Sequence, residues 1–399
     1  MTSENHEQAT GDSDAAGFAV PLDPAELTAR LLRCPSITPQ EGGALSLLQP
    51  ILEAAGFVCT RIDRGEVSNL FARFGPKGAA RCFGFNGHTD VVPPGDRADW
   101  RFDPFAASEA EGRLWGRGAC DMKSGVAAFV AAAVDFVRHS PPDGAVIVTI
   151  TGDEEGPGLD GTRAILDWMA QNGERMSHCL VGEPTCPSVM GEMIKHGRRG
   201  SLTATITARG VQGHAAYPHR ARNPLPALVA LLDRLARHEL DGGNANFEPS
   251  TLALTTIDTG NSASNVIPAQ ARAMLNIRFN DRHSGASLSE WLQSEAGAVA
   301  ARSGVALDVA VSISGESFVT EPGYLTDLVA RAVEAECGIR PELSTSGGTS
   351  DARFIKDHCP VVEFGLVGQS MHQVDEFVEI EHIHKLKAIY RRALDTYFV

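Results

Sequence analysis

Short apolar strands alternate with helices at both ends of the 399-residue chain, and this alternation constrains its fold most. Residues 81–86, 145–151, 179–181 and 361–364 predict strands with little alternation of polar and apolar positions. Strands of this kind are buried on both faces and belong to parallel sheets that helices cover on both sides. We therefore expect an α/β fold with a mostly parallel sheet flanked by helices.

Helices are predicted from apolar periodicity and from the glycine and proline residues that punctuate the chain. Outside the middle of the chain they cover residues 24–33, 43–55, 126–138, 162–171, 325–337 and 382–398. The predicted helices separate the predicted strands, as the crossover connections of a parallel sheet require.

Residues 200–313 have a different order of predicted elements, strand-helix-strand-strand-helix-strand. This is the split βαβ order of a small α+β domain. Because it interrupts the alternation, we predict an inserted βαββαβ domain at 200–313, between the two parts of a catalytic domain at 21–199 and 314–399. A chain of 399 residues also exceeds what one hydrophobic core usually serves.

Composition narrows the cellular setting and the partners. The polar residues 1–20 are expected to form a disordered extension and not a signal peptide. A net charge of -15 argues against nucleic acid and anionic membranes as partners. The eight cysteines are scattered without a C-x-x-C pair, as in reduced cytosolic proteins, and no apolar stretch is long enough to span a bilayer. We expect a soluble, cytoplasmic protein.

Acidic and imidazole side chains follow the predicted strands directly, in the segments G-H-T-D, G-D-E-E-G, G-E-P-T and M-H. A fifth segment, G-A-C-D-M-K-S-G, precedes a predicted helix. In an open parallel sheet, groups at the carboxyl ends of the strands converge although they lie far apart in sequence. The segments supply five candidate metal ligands: His88, Asp121, Glu155, Glu183 and His372.

The charges of these candidates suit two divalent ions, since three carboxylates and a bridging hydroxide carry about four negative charges. Imidazole and carboxylate ligands without thiolate favour zinc, with cobalt or manganese as substitutes. Any one of these residues alone is more often a solvated loop side chain. The adjacent Glu154 and Glu155, however, follow a buried strand, where two carboxylates repel unless a cation compensates them. Asp90, two residues after His88, can orient the ligand ring.

The blocks G-H-T-D-V-V-P-P-G-D, G-R-G-A-C-D-M-K-S-G, T-G-D-E-E-G, G-E-P-T and the late M-H resemble one known family. It is the co-catalytic zinc metallopeptidase family, which includes succinyl-diaminopimelate desuccinylases, acetylornithine deacetylases, aminoacylases and carboxypeptidases. The match runs from about residue 24 to the end of the chain. The resemblance implies two Zn²⁺ ions per subunit and hydrolysis of an amide bond.

The resemblance also implies a role for each candidate. Asp121 would bridge the two metals, His88 and Glu183 would complete one site, and Glu155 and His372 would complete the other. Glu154 would be the general base that activates the metal-bridged water. A cis peptide would follow the bridging aspartate, between Asp121 and Met122.

His214, in the segment G-H-A-A-Y-P, lies in the predicted inserted domain, away from the metal segments. Alone it would be interpreted as a surface-loop histidine. The resemblance implies that it reaches across a homodimer interface and helps to bind the oxyanion in the partner's active site. The inserted domain would then be both a lid and a dimerisation module.

The cluster K-H-G-R-R-G-S, residues 195–201, is notably basic in an acidic chain. A charge run is usually a solvated surface, but arginine also binds carboxylates through two parallel hydrogen bonds. Similar reasoning about polar and glycine-rich segments gives six candidate substrate-binding residues: Arg198, Ser201, Asn265, Arg278, Gly348 and Thr349.

The segments G-R-R-G-S, S-N-V-I-P and G-G-T-S-D-A-R-F are most similar to the desuccinylase branch of the family. That branch hydrolyses N-succinyl-LL-2,6-diaminopimelate to succinate and LL-2,6-diaminopimelate, in lysine and cell-wall precursor synthesis. Two alternatives stay open. One is another N-acyl-amino-acid amidohydrolase, such as an acetylornithine deacetylase, which needs fewer anion contacts. The other is a non-catalytic binding relative, which would lack the base or a ligand.

Overall fold

A computed structural model describes residues 21–399, so the extension predicted for residues 1–20 lies outside the described residues. Within 21–399 there are nine α-helices: α1 (Pro24–Leu32), α2 (Ala44–Ala54), α3 (Ser124–His139), α4 (Thr162–Gln171), α5 (Leu225–Ala236), α6 (Gly285–Ser303), α7 (Tyr324–Cys337), α8 (Ala352–Ile355) and α9 (Ile380–Tyr397). The strands of the first half are β1 (Val58–Arg64), β2 (Val67–Phe74), β3 (Cys82–His88), β4 (Ser108–Ala110), β5 (Arg113–Trp115), β6 (Ala145–Thr151), β7 (His178–Val181), β8 (Met193–Lys195) and β9 (Gly197–Arg198). Those of the second half are β10 (Gly200–Arg209), β11 (Gly213–His214), β12 (Thr251–Asp258), β13 (Val266–Ile267), β14 (Gln270–Phe279), β15 (Ala306–Gly315), β16 (Phe318–Val319), β17 (Glu342–Ser344), β18 (Val361–Glu363) and β19 (Phe377–Glu379). Among these helices none is both long and apolar enough to cross a membrane.

The largest sheet has eight strands in the order β1-β2-β6-β3-β7-β18-β8-β17. Its centre, β6-β3-β7-β18, is parallel and consists of the four strands that the sequence predicted. Antiparallel pairs lie on either side of this centre, so the sheet as a whole is mixed. The prediction omitted β1, β2, β8 and β17. β1 is mostly half-buried, and Ile62 is its one buried residue. β8 and β17 have only three residues each, too few to show a period.

Helices cover both faces of this sheet, as predicted, because its central strands are apolar on both sides. In β6, Val146, Val148 and Ile150 pack into the core below α1, α3, α7 and α9. Ile147 points to the opposite face and packs with α4 and α8. Successive side chains of a strand point to opposite faces, so each face of β6 requires its own cover.

A second sheet has the order β12-β14-β10-β15 and is antiparallel throughout. One face of β10 is buried through Leu202, Ala204, Ile206 and Ala208, which form a separate core with α5 and α6. The element order in this region is the βαββαβ order that the sequence predicted. The domain boundaries themselves, 21–199 with 314–399 and 200–313, stay a prediction.

Candidate metal centre

The five predicted ligands converge at one edge of the main sheet. His88 is the last residue of β3, Glu155 follows β6, and Glu183 follows β7. These three strands are parallel neighbours, so their carboxyl ends lie at the same edge. Asp121 arrives from the segment before α3, and His372 from the loop before β19.

Asp121 lies between two pairs of predicted ligands. Its Oδ1 is 3.2 Å from His88 Nε2, and its Oδ2 is 3.3 Å from His372 Nε2. His88 Nε2 is also 3.8 Å from Glu183 Oε1, whereas His372 Nε2 is 2.9 Å from Glu155 Oε1. Ligand atoms of His88, Asp121 and Glu155 also lie within 4.8 Å of one another, as do those of His88, Glu154 and Glu183. The division of the ligands between two metals that share Asp121 therefore stays a prediction.

The electrostatics of the cluster fit a bound cation. Burial raises the pKa of Glu154 and of Glu183 well above the usual range, and neighbouring carboxylates raise both further. Burial alone would lower the pKa of His88, but its hydrogen bond with Asp121 and the surrounding carboxylates raise it. Buried carboxylates this close together repel unless a positive charge compensates them. Imidazole nitrogens and carboxylate oxygens are a donor set that zinc accepts.

Asp90 contacts the cluster in a way that differs in detail from the predicted ring-orienting role. Its backbone oxygen lies 3.0 Å from His88 Nδ1, closer than its own Oδ1 at 3.7 Å. The Asp90 carboxylate accepts hydrogen bonds from Thr38 Oγ1 at 2.7 Å and from the amides of Glu154 and Glu155 at 3.3 and 3.1 Å. Asp90 therefore fixes His88 mainly through its backbone, and its side chain fixes the turn that carries the two glutamates.

Glu376 supports the cluster and was missed by the sequence analysis. This buried carboxylate accepts four hydrogen bonds from the loop before α3: from the amides of Gly118 (3.0 Å), Cys120 (3.0 Å) and Asp121 (3.2 Å) and from Arg117 Nη1 (2.8 Å). The peptide between Asp121 and Met122 is cis, as the resemblance implies. In sequence, the only signal of Glu376 is an acidic residue shortly after the M-H motif.

A cleft of about 820 Å³ opens over the cluster. Its acidic wall contains Asp121, Glu154, Glu155 and Glu183 together with His372. Four of the six predicted substrate residues also line it: Arg198, Arg278, Gly348 and Thr349. Three further cations line it that were not predicted as substrate contacts: Arg163, Lys195 and Arg353. The cleft thus places a cationic wall beside the metal ligands.

The remaining predicted residues do not line this cleft. Ser201 is buried in β10, opposite Arg278 on β14. His214 is exposed on β11, which pairs with β13 in a separate two-stranded sheet. The backbone oxygen of Asn265 accepts a hydrogen bond from the amide of Ala215 at 2.8 Å, so Asn265 and His214 lie close together. Within one chain, neither of them belongs to the cleft lining.

The guanidinium of Arg198 already donates hydrogen bonds to several protein groups, which the sequence did not predict. Its Nε donates to the two carboxylate oxygens of Glu363 at 2.9 and 3.1 Å, and its Nη2 donates to Glu363 as well. Its Nη1 donates to the backbone oxygen of Gly348 at 3.1 Å. Arg278, by contrast, has no acidic partner within 4.0 Å among residues 21–399, and burial and the nearby Arg199 lower its pKa. Arg278 is therefore the freer cation for an anionic ligand.

Comparison with known sequences places the chain among named enzymes. The family model described as peptidase family M20/M25/M40 matches residues 84–396. A succinyl-diaminopimelate desuccinylase of Cereibacter sphaeroides is 70% identical over 379 residues, which are 95% of this chain and 100% of the relative. The same-named protein of Ruegeria pomeroyi is 69% identical over 377 residues, 94% of this chain and 99% of the relative.

Solved structures show the same fold at low identity. An M20 family metallo-carboxypeptidase from Sulfolobus solfataricus superposes with a TM-score of 0.76 at 16% identity, covering 94% of this chain and 99% of the other. The YXEP protein of Bacillus subtilis, described as a dinuclear metal-binding peptidase, has a TM-score of 0.71 at 16% identity, covering 94% and 98%. With the matched family model and the close relatives, these findings show that the chain belongs to peptidase family M20/M25/M40.

Proposed function

We propose that this chain hydrolyses N-succinyl-LL-2,6-diaminopimelate to succinate and LL-2,6-diaminopimelate. The observation that carries the proposal is the cleft, in which a cluster of carboxylates and imidazoles faces a wall of cations. An N-succinyl diaminopimelate carries three carboxylates, which such a wall complements. Relatives that are 63–70% identical over nearly the whole chain are named for this reaction.

The metal-dependent part of the proposal assigns two Zn²⁺ ions to the cluster, with Co²⁺ or Mn²⁺ as substitutes. Asp121 would be shared, His88 and Glu183 would hold one ion, and Glu155 and His372 the other. When bound, the ions polarise the amide carbonyl and lower the pKa of the attacking water. The spacing of the side chains around Asp121 supports this division.

Glu154 is the proposed general base. It lines the cleft, and its Oε2 lies 4.0 Å from His88 Nε2, farther than Asp121 or Glu183. Its pKa is raised by burial and by neighbouring carboxylates, so it holds a proton more readily than an exposed glutamate. Glu154 takes a proton from the attacking water and delivers it to the amide nitrogen as the C–N bond breaks.

The proposed active unit is a homodimer in the cytoplasm. His214 of one chain would enter the cleft of the other and donate a hydrogen bond to the developing oxyanion. His214 is exposed and lies outside the cleft lining of its own chain, so this role requires a second chain. The region of β10 to β15, with its own core, would serve as lid and dimerisation module.

The test compares N-succinyl-LL-2,6-diaminopimelate with N-acetylornithine, using the zinc-loaded protein and following release of the acid. We expect kcat/KM to be at least about 100-fold higher for the succinyl substrate, because a site with polar partners rejects a ligand that leaves them unpaired. Equal turnover of the two substrates would favour an acetylornithine-type deacylase. Turnover of neither by a metal-loaded protein would favour a binding relative.

A further inference from the structure

Residues 344–350, S-T-S-G-G-T-S, form a segment that we name the glycine loop. It lines the cleft through Gly347, Gly348 and Thr349. Below it lies the ion pair between Arg198 and Glu363, whose carboxylate is almost fully buried at the end of β18. A buried carboxylate in this position needs a structural or functional reason, because taking a charge out of water is costly.

Glu363 accepts hydrogen bonds from both the glycine loop and Arg198. Ser350 Oγ donates to Glu363 Oε1 at 2.7 Å, which ties the end of the loop to β18. The guanidinium of Arg198 is held by Glu363 on one edge, and its Nη1 donates to the backbone oxygens of Gly348 at 3.1 Å and Ser346 at 3.5 Å. Glu363 therefore holds the end of the loop directly and its middle through Arg198.

The backbone of the glycine loop lies directly on this guanidinium. At Gly347, where φ is +100°, a Cβ atom would approach Arg198 Nη1 to 2.6 Å. A positive φ and a contact this close both favour glycine. The position of the Arg198 side chain therefore determines where the loop can lie. Lys195 Nζ also donates to Ser346 Oγ in this loop, at 2.6 Å.

We propose that Glu363 is a positioning residue that fixes the Arg198 guanidinium and, through it, the glycine loop that receives the carboxylate of the substrate's acyl group. The inference rests on the proposed function, since it takes the succinyl carboxylate as the group that the loop binds. In this arrangement the hydroxyl of Thr349 and the backbone of the loop bind the carboxylate, and Arg278 supplies a positive charge that has no acidic partner within 4.0 Å among residues 21–399.

Direct binding of the acyl carboxylate by Arg198 would predict the opposite change in KM when Glu363 is substituted. If Arg198 bound the acyl carboxylate directly, Glu363 would compete with the substrate for the same guanidinium. Removing the charge of Glu363 would then free Arg198 and lower KM. If Glu363 instead positions the loop, removing its charge raises KM.

The test uses Glu363→Gln in the zinc-loaded protein and two substrates, N-succinyl- and N-butyryl-LL-2,6-diaminopimelate. The butyryl group has a methyl where the succinyl group has its carboxylate. We expect KM for the succinyl substrate to rise about 10- to 100-fold, the loss typical of a charge-assisted hydrogen bond. We expect kcat to be little changed and kcat/KM for the butyryl substrate to stay within about 3-fold. An unchanged or lower succinyl KM, or equal losses on both substrates, would overturn the proposal.

Glu174→Gln is the matched control, because Glu174 also accepts a hydrogen bond from a largely buried arginine, Arg73, at 3.1 Å, but outside the cleft lining. It should leave both KM values unchanged. If Glu363→Gln does not fold, Ser350→Ala removes only the hydroxyl that donates to Glu363. Its succinyl KM should rise about 3- to 10-fold without loss on the butyryl substrate, and equal loss on both would again overturn the proposal.

Succinate release by the wild-type protein separates a wrong role for Glu363 from a wrong proposed function. A wild-type protein that releases no succinate would refute the proposed function, and this inference with it. A wild-type protein that releases succinate, with variants that lack the selective rise in KM, would refute the positioning role of Glu363 alone.

Discussion

At the scale of single residues, Glu154 and Glu155 are neighbours in the chain but have different partners. Glu155 Oε1 lies 2.9 Å from His372 Nε2, whereas Glu154 Oε2 reaches only to 4.0 Å from His88 Nε2. The Asp90 carboxylate holds the turn after β6, because it accepts hydrogen bonds from the backbone amides of Glu154 and Glu155. These different partners are the reason for proposing Glu155 as a metal ligand and Glu154 as the general base.

Substitution of each glutamate separates these two roles. Glu154→Gln keeps the shape of the side chain and removes its basicity, so kcat should fall by about 100- to 10,000-fold while both metals remain bound. Glu155→Gln, the matched control, should lose bound metal. Steady-state kinetics together with metal analysis of the purified variants checks both outcomes. A Glu154→Gln variant with full metal and unchanged kcat would show that another group is the base.

At the scale of elements, the sequence predicted the centre of the sheet and left out its margins. β3, β6, β7 and β18 are short and apolar because both of their faces are covered, and that pattern is visible in sequence. β1 lies at the edge of the sheet, and the sequence analysis did not interpret its alternation of Val58, Thr60 and Ile62 with polar residues as a strand. β2 was missed although most of its residues are buried, because Ser68, Asn69 and Arg73 interrupt its apolar run.

The site was likewise predicted only in part. The ligands were found because each follows an apolar strand or belongs to a motif that carries the family resemblance. Glu363 and Glu376 were missed because their partners are side chains and amides far away in sequence, which only the folded chain brings near. Arg198 was predicted as a substrate-binding residue without its buried counter-charge, because Glu363 is 165 residues away in sequence.

Glu376 is not one of the predicted metal ligands, but we expect its substitution to weaken metal binding. Glu376→Ala removes the acceptor for three amides of the loop that carries Asp121. We expect the affinity for zinc to fall about 10- to 100-fold, as for other residues that orient metal ligands. Competition with a chromogenic chelator measures it. Unchanged affinity in a folded variant would show that the loop keeps its shape without this carboxylate.

Two glycines in helices give a matched test of packing. At Gly125, near the start of α3, a Cβ atom would lie 2.6 Å from the backbone oxygen of Gly182, so Gly125→Ala should destabilise the metal-free protein by about 1–3 kcal/mol. Gly297 in α6 has nothing within 4 Å of that position, so Gly297→Ala should stabilise by about 0.5–1 kcal/mol. Denaturant unfolding of both variants measures the two effects. A destabilised Gly297→Ala or a neutral Gly125→Ala would contradict the described packing.

At the scale of the whole molecule, the cleft and the exposed His214 lie on different parts of one chain. We propose that His214 acts in the cleft of a second chain, and subunit mixing tests this proposal directly. His214→Ala and Glu154→Gln homodimers should each be inactive. Mixed dimers contain one complete site, so random mixing should restore about a quarter of the wild-type activity. No recovery after verified subunit exchange would refute the contribution of a second chain.

We propose that two metal ions required for hydrolysis are held by His88, Asp121, Glu155, Glu183 and His372, with Asp121 shared between them. The most direct measurement is a zinc titration of chelated protein, in which bound zinc per chain and succinate release are followed in the same samples. We expect two bound ions per chain, no release from the metal-free protein, and loss of both bound zinc and activity in Asp121→Asn. Succinate release without metal, or two tightly bound ions in a fully active Asp121→Asn variant, would contradict it.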